Sequence, residues 1–328
     1  MKVLMYAVRP DEMDAIQRYT KEFGIEYDIV KENFGVENAH KAKGYDAISI
    51  LGNCLATREA LKIVADLGVK VVADRSTGYE KIDLEAAKEY GLQVSNVPGY
   101  SPNAISEYAI TSALMLARNV KIMMQHSAVN NYSLKGLIGF EIRKSVVGII
   151  GTGRIGREAA KGFKGLGARV IAYDIYPCEE AKEYLEYVSL DELLRTSDVI
   201  SLHMPLFDSN YHMINAETLK KMKRTAVLVN TSRGGLVDSK AMLEALENKQ
   251  IAGYAMDVYE KELGIMHCDR SQCHIEDEVF NKLHALDNVI VSPHYAFYTD
   301  EAVANMVEIA LKNISEFEKT GHVLNKLF

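Results

Sequence analysis

The stretch Val146-Val-Gly-Ile-Ile-Gly151-Thr-Gly-Arg-Ile-Gly156-Arg-Glu-Ala-Ala-Lys-Gly-Phe-Lys-Gly165, with Arg169-Val-Ile-Ala-Tyr-Asp174 after it, decides the architecture. Val146 to Ile150 reads as a buried strand, and the glycines at 151, 153 and 156 fall where a strand turns directly into a helix. A second apolar run ends at Asp174, 21 residues after Gly153. In such a unit each glycine has its own task. Gly151 permits the tight turn, Gly153 lets the backbone approach a pyrophosphate, and Gly156 lets the helix pack close to its strand. The helix N-terminus offers unpaired N–H groups and the positive end of its dipole to the phosphates. Asp174 can accept hydrogen bonds from both ribose hydroxyls and would repel the extra phosphate of NADP, so NAD is favoured. The competing structural reading is an ordinary βα turn, with Asp174 as its cap.

Outward from this unit, strands and helices alternate almost from end to end. Towards the N-terminus, 3–7, 47–51, 70–74 and 92–97 read as strands, and 11–23, 57–67 and 83–90 as helices. Towards the C-terminus, 199–203, 226–230, 253–258 and 289–291 read as strands, with helices near 217–222, 239–249 and 300–320. A long, largely apolar helix from Asn103 to Arg118 lies between the two sets. Such alternation implies an α/β fold with parallel sheets covered by helices.

The 328 residues correspond to two domains at about 150 residues each. Hydrophobic residues make up 48% and charged residues 25%, which excludes wholesale disorder. With 38 Lys and Arg against 45 Asp and Glu, the net charge of −7 argues against nucleic acid as a main partner. No run approaches the roughly 20 apolar residues of a membrane helix, and six uncharged residues between Lys2 and Arg9 are too few for a signal peptide's core. A cytoplasmic location is expected. Cys54, Cys178, Cys268 and Cys273 are too few for a disulfide scaffold and read as reduced thiols.

A polar constellation stands at three strand ends. Asn230-Thr-Ser-Arg233-Gly-Gly places Arg233 just past one strand, Asp257-Val-Tyr-Glu260-Lys-Glu262 ends a second, and Ser292-Pro-His294-Tyr-Ala-Phe297 follows a third. Ligands of parallel α/β sheets sit beyond the carboxyl ends of strands. An arginine, carboxylates and a histidine there supply an anion clamp, a proton donor and a group to tune it. Taken singly, each also fits a plain structural role: a surface ion pair for Arg233, a solvated charge for Glu262, a strand cap for His294.

These stretches, with Asn96-Val-Pro-Gly-Tyr100-Ser-Pro-Asn-Ala104, resemble the D-2-hydroxyacid dehydrogenase family over nearly the whole chain, in particular its D-lactate dehydrogenase branch with the phenyllactate-type and vancomycin-resistance-type members. The steps of 29 residues from Arg233 to Glu262 and 61 from Arg233 to His294 suit that branch, as does the long insert 264–279. The resemblance implies a Rossmann NAD-binding domain, residues 100–298, inserted into a flavodoxin-like substrate domain, residues 1–99 and 299–328, with a cleft that closes on substrate. It implies His294 as general acid, Glu262 as the partner that keeps it protonated, and Arg233 as the clamp on the substrate carboxylate. Asp257 would hold the nicotinamide carboxamide. Arg154 and Ile155 would touch the phosphates, and Met204, Pro205, Asn210, Thr231 and Ser232 would line the cofactor groove. The helix from Asn103 to Arg118 resembles the family's dimerisation helix, although its composition equally suits a buried core helix.

Leu51-Gly52-Asn53 would offer backbone N–H groups to the substrate carboxylate. Many lactate-preferring relatives carry an aromatic side chain at the position of Leu51, so the smaller Leu51 leaves room for acids such as phenylpyruvate or 2-oxoisocaproate. Tyr100, Phe297 and Tyr298 would supply an aromatic wall. Pyruvate remains the alternative if a neighbouring side chain fills that space, since one methylene shifts preference by only about 1–3 kcal/mol. His267-Cys268-Asp-Arg-Ser-Gln-Cys273-His274 places four metal-ligand types in one octet, but that spacing is cramped and the expected chemistry needs no metal. We read it as a loop with incidental thiols and expect no metal. A NAD(H)-binding corepressor or redox sensor on the same fold is the alternative from a different functional class.

Overall fold

The computed structural model describes all 328 residues and resolves them into two compact units, 1–101 with 298–328, and 102–297. The chain crosses between them two residues later and one residue earlier than the sequence boundaries 99/100 and 298/299.

In the first unit the strands are β1 (Lys2–Tyr6), β2 (Glu26–Val30), β3 (Ala47–Ile50), β4 (Val71–Asp74) and β5 (Gln93–Ser95). All pair in parallel, in the order β2-β1-β3-β4-β5. Their connections are helices α1 (Met13–Phe23), α2 (Arg58–Asp66) and α3 (Leu84–Glu89). β3 and β4 are buried at every position, as central parallel strands covered on both faces must be. β2 was not legible in the sequence. It is an edge strand whose Glu26 and Asp28 face solvent, so it lacks the continuous apolar run of its neighbours. The helix starts are specified locally: Thr57 and Asp83 accept the backbone N–H groups of Ala60 and Ala86, and α1 stops at Gly24 in the left-handed conformation.

The second unit opens with α4 (Pro102–Ala117) and α5 (Val120–Ala128), then β6 (Val146–Ile150), α6 (Arg154–Gly165), β7 (Arg169–Tyr173), β8 (Glu186–Tyr187), α7 (Leu190–Thr196) and β9 (Val199–Leu202). It continues through α8 (Ala216–Leu219), β10 (Val227–Asn230), α9 (Ser239–Glu247), β11 (Gly253–Met256), α10 (Glu278–Ala285) and β12 (Val289–Val291). The seven-stranded sheet runs β12-β11-β10-β9-β6-β7-β8, all parallel, with its order reversing at β6. α11 (Asp300–Thr320) belongs to the first unit and packs on α1.

Each sheet carries an apolar cluster on both faces. Leu4, Ile48 and Val72 face α2 and α3, whereas Val3, Ala47 and Val71 face α1 and α11. α4 buries the small residues Ala104, Ser106, Ala109, Ser112, Ala113 and Ala117, of which Ala109, Ala113 and Ala117 join the apolar cluster between α6 and the second sheet. The first unit also buries an ion pair. Arg75 Nε donates to Glu12 Oε1 at 2.9 Å, with both side chains essentially inaccessible. Arg75 further donates to Ser49 Oγ and the Tyr6 carbonyl, and Glu12 accepts the Arg9 N–H, so every member is paired. No helix is long and apolar enough to cross a membrane, and all four cysteines are free.

Candidate active site

The loop between β6 and α6 is shaped by its glycines. Gly151 has φ +94°, and a Cβ there would lie 2.6 Å from the His203 carbonyl oxygen. A Cβ on Gly156 would lie 1.9 Å from the Gly151 carbonyl oxygen. Gly153 differs: nothing lies within 4 Å of its Cβ position. It is also the N-cap of the 12-residue α6 and has no side chain to cap it, so no cap side chain satisfies the first-turn N–H groups of that helix. A close helix–strand contact beside an open, donor-lined helix end fits a pyrophosphate.

Asp174, at the end of β7, accepts hydrogen bonds from Thr152 N at 2.5 Å and Thr152 Oγ1 at 2.9 Å through one oxygen, and from Tyr176 N at 2.8 Å through the other. Its carboxylate therefore fastens the glycine loop, the capping role among the two readings the sequence left open. Tyr187 extends this network by donating to Thr152 Oγ1. After β9, Asn210 accepts from Phe207 N and donates to the Pro205 carbonyl, so it holds its own loop, and Met204 lies beside it. Ser232 Oγ bonds the Met204 carbonyl, tying the loops after β9 and β10 together. Thr231 Oγ1 is buried without a hydrogen-bond partner, an orphan donor in the same groove. His203, behind the glycine loop, keeps some surface exposure, but its ring is desolvated and pushed down to about 4, so it is neutral near pH 7.

Arg233, Glu262 and His294 leave the same edge of one sheet. Asn230, Met256 and Val291 are in register on the adjacent strands β10, β11 and β12. Asn230 shapes the first turn, accepting from Ser232 N and donating to the Arg233 carbonyl. Glu262 Oε1 lies 3.0 Å from His294 Nδ1, with both side chains about one-third exposed, at 31% and 32%. His294 itself has φ +54°, a costly conformation for a side chain of its size. Asp257 is 2% exposed and helps to hold that conformation. One of its oxygens accepts from Ser292 Oγ and Tyr295 N, the other from Ala296 N, at 2.6 to 2.9 Å. Its carboxylate thus builds the turn that carries His294, a task the sequence did not disclose. Tyr108 of α4 reaches the same turn, stacking edge-on against Tyr295.

In the first unit, Leu51, Gly52 and Asn53 form the turn after β3, closed by Cys54 N donating to the Leu51 carbonyl. Asn53 accepts from Lys81 Nζ at 2.9 Å. Tyr100 is held through its carbonyl by Asn305 of α11. Tyr298 lies over the Arg9 guanidinium. Beneath the turn, Asp74 is 3% exposed, and burial raises its carboxyl to about 7. Phe297 belongs to the second unit, where it contacts His267. The sequence offered His267 only as a metal-ligand type in the 267–274 octet; the structure sets its ring, still solvent-exposed, against that of His294, a contact that nothing in a loop of mixed polar residues marks.

Residues 110–296 match the family model for the NAD-binding domain of D-isomer specific 2-hydroxyacid dehydrogenases. Over 327 residues, 99% of each chain, the protein is 47% identical to an aromatic 2-oxoacid reductase of Clostridium sporogenes. It is 41% identical over 323 residues to a D-lactate dehydrogenase of Lactiplantibacillus plantarum, covering 98% of this chain and 97% of the other. Among solved structures, a D-lactate dehydrogenase from Treponema pallidum matches with a TM-score of 0.92 at 37% identity, covering all of both chains. The glycine loop and the carboxylate-paired histidine thus stand in a chain that belongs to the D-isomer specific 2-hydroxyacid dehydrogenase family and is an NAD-dependent dehydrogenase.

Proposed function

We propose that this enzyme reduces 2-oxo acids with an aryl or branched side chain, phenylpyruvate foremost, to their D-2-hydroxy acids, through Arg233, Glu262 and His294. NAD(H), when bound, supplies or accepts the hydride at C2. The observation that carries the catalytic reading is the 3.0 Å contact between Glu262 and His294 Nδ1. A carboxylate on Nδ1 keeps the proton there, so Nε2 is the nitrogen left to protonate the substrate oxygen. Arg233 presents a planar fork that grips the substrate carboxylate and orients the carbonyl. Gly151, Gly153, Arg154, Ile155 and Gly156 receive the pyrophosphate, Asp174 the ribose, and Met204, Pro205, Asn210, Thr231, Ser232 and Asp257 the rest of the cofactor. Leu51, Gly52, Asn53, Tyr100 and Phe297 are assigned to the substrate.

The substrate preference rests on Leu51, whose side chain is smaller than an aromatic ring, and is supported by the likeness to an aromatic 2-oxoacid reductase. The test is kcat/KM for phenylpyruvate, 2-oxoisocaproate and pyruvate. Phenylpyruvate is expected to exceed pyruvate by about tenfold or more, the scale of a pocket difference near 1–3 kcal/mol. A preference for pyruvate would overturn the assignment. Tight NADH binding with no turnover of any of the three would turn the reading towards a sensor.

The glycine loop has its own test. Gly153→Ala meets open space, so the protein should fold normally yet lose about tenfold or more in NADH affinity, because the methyl stands where the phosphates approach. Gly156→Ala meets backbone at 1.9 Å and should lower the melting temperature as well. Equal NADH affinity in Gly153→Ala and the parent would remove the loop from the cofactor site.

A second copy of this chain is the proposed partner, seated along α4, α5 and the segment 129–138. Leu114, Met123, Met124, Tyr132, Leu134 and Ile138 are exposed there, Leu134 and Ile138 at 85% and 92%. The four free cysteines fit a reducing, cytoplasmic setting.

A further inference from the structure

We propose that His267, in the loop after Glu262, is a positioning residue that fixes the orientation of His294. This rests on the reading of His294 as proton donor. His267 Nε2 lies 2.8 Å from the His294 carbonyl oxygen. A carbonyl only accepts, so that nitrogen carries the proton and donates it. The N–H on the other side of the same peptide, that of Tyr295, donates to Asp257 Oδ1 at 2.9 Å. The peptide unit after His294 is therefore gripped at both its oxygen and its nitrogen. His294 could leave its left-handed φ of +54° only by turning about its N–Cα bond, which would carry this held carbonyl away from His267 and the ring off Glu262 together.

The chain reaches this arrangement by a compact turn. Ile265 N and Met266 N both donate to the Glu262 carbonyl, at 2.9 and 3.0 Å. Met266 is 6% exposed and anchors the turn in the core. His267 comes next with φ +59°, which throws its ring back over His294 and edge-on to Phe297, with centroids 5.7 and 6.2 Å away. Arg270 closes the loop by donating to the Gly264 carbonyl. Glu262 and His267, five residues apart, thus hold the same histidine at two points, one on its ring and one on its backbone.

The test compares His267→Phe, which keeps a ring against Phe297 but has no donor, with His267→Gln, whose amide can donate to the same carbonyl. The expected result is a kcat for 2-oxo acid reduction lowered about five- to tenfold in H267F with KM for NADH unchanged, and within about twofold of the parent in H267Q. A readout independent of turnover accompanies it. In protein labelled with [1-13C]histidine, the His294 carbonyl resonance, identified by its loss in H294Q, should move upfield in H267F and return in H267Q. An unmoved resonance in H267F, or kcat damaged equally in both variants, would overturn the proposal. If the parent turned over no 2-oxo acid, the reading of the reaction would fail, and the carbonyl resonance alone would decide whether His267 holds His294.

Discussion

His294→Gln is expected to lower kcat for 2-oxo acid reduction by about 10³-fold while leaving NADH affinity within about twofold, a loss in the range for removing a positioned general acid. Glutamine can occupy the space and accept or donate a hydrogen bond, but it cannot give up a proton to a developing alkoxide. The His294 side chain is not among those we propose to hold NADH, so the binding step has no reason to change. Glu262→Gln should cost less, since an amide oxygen can still accept from Nδ1 across 3.0 Å, although the hydrogen bond loses its charged partner. Stopped-flow NADH oxidation and fluorescence titration of NADH check both halves. A variant retaining more than a tenth of parental kcat would remove His294 from the proton-transfer step.

The largest stability effect is expected at a position remote in sequence from this chemistry. Glu12→Ala should destabilise the first unit by about 3–5 kcal/mol, the cost of leaving one member of a buried ion pair without its partner. Arg75 would keep its bonds to Ser49 Oγ and the Tyr6 carbonyl, but its Nε and its charge would have no counterion in a region that water does not reach. Arg9 N would lose its acceptor in the same change. Glu12→Gln should cost less, because its amide oxygen can still accept from Arg75. Urea denaturation monitored by far-ultraviolet circular dichroism reads the difference. A loss below about 1 kcal/mol would mean that water enters and replaces the carboxylate.

Much of the fold was legible because central parallel strands are apolar runs and because the turn between β6 and α6 needs glycines at set positions. The elements that escaped notice share a physical reason. β2 is an edge strand with charged residues on its exposed positions, α5 buries no residue, and β8 is two residues long. None of them carries the apolar periodicity by which the others announce themselves. α7 and α10 are short and start at side-chain caps, Ser189 and Asp277, without a long hydrophobic stripe behind them. In the site, residues within short motifs were visible, since one strand end presents them together.

By itself the sequence determined the class of architecture, the glycine loop with its acidic partner at Asp174, and the chemical types gathered at three strand ends. Those are local properties, set by backbone conformation and by alternation of strand and helix. Only the tertiary structure decided what each group is bonded to. Asp257 supports the turn of His294, Asp174 fastens Thr152, His267 reaches the His294 carbonyl, and Glu12 pairs with Arg75 across 63 residues of chain. Such contacts join loops and turns that leave different strands. Their existence depends on sheet register and loop closure rather than on spacing along the chain, and no period in the sequence records them.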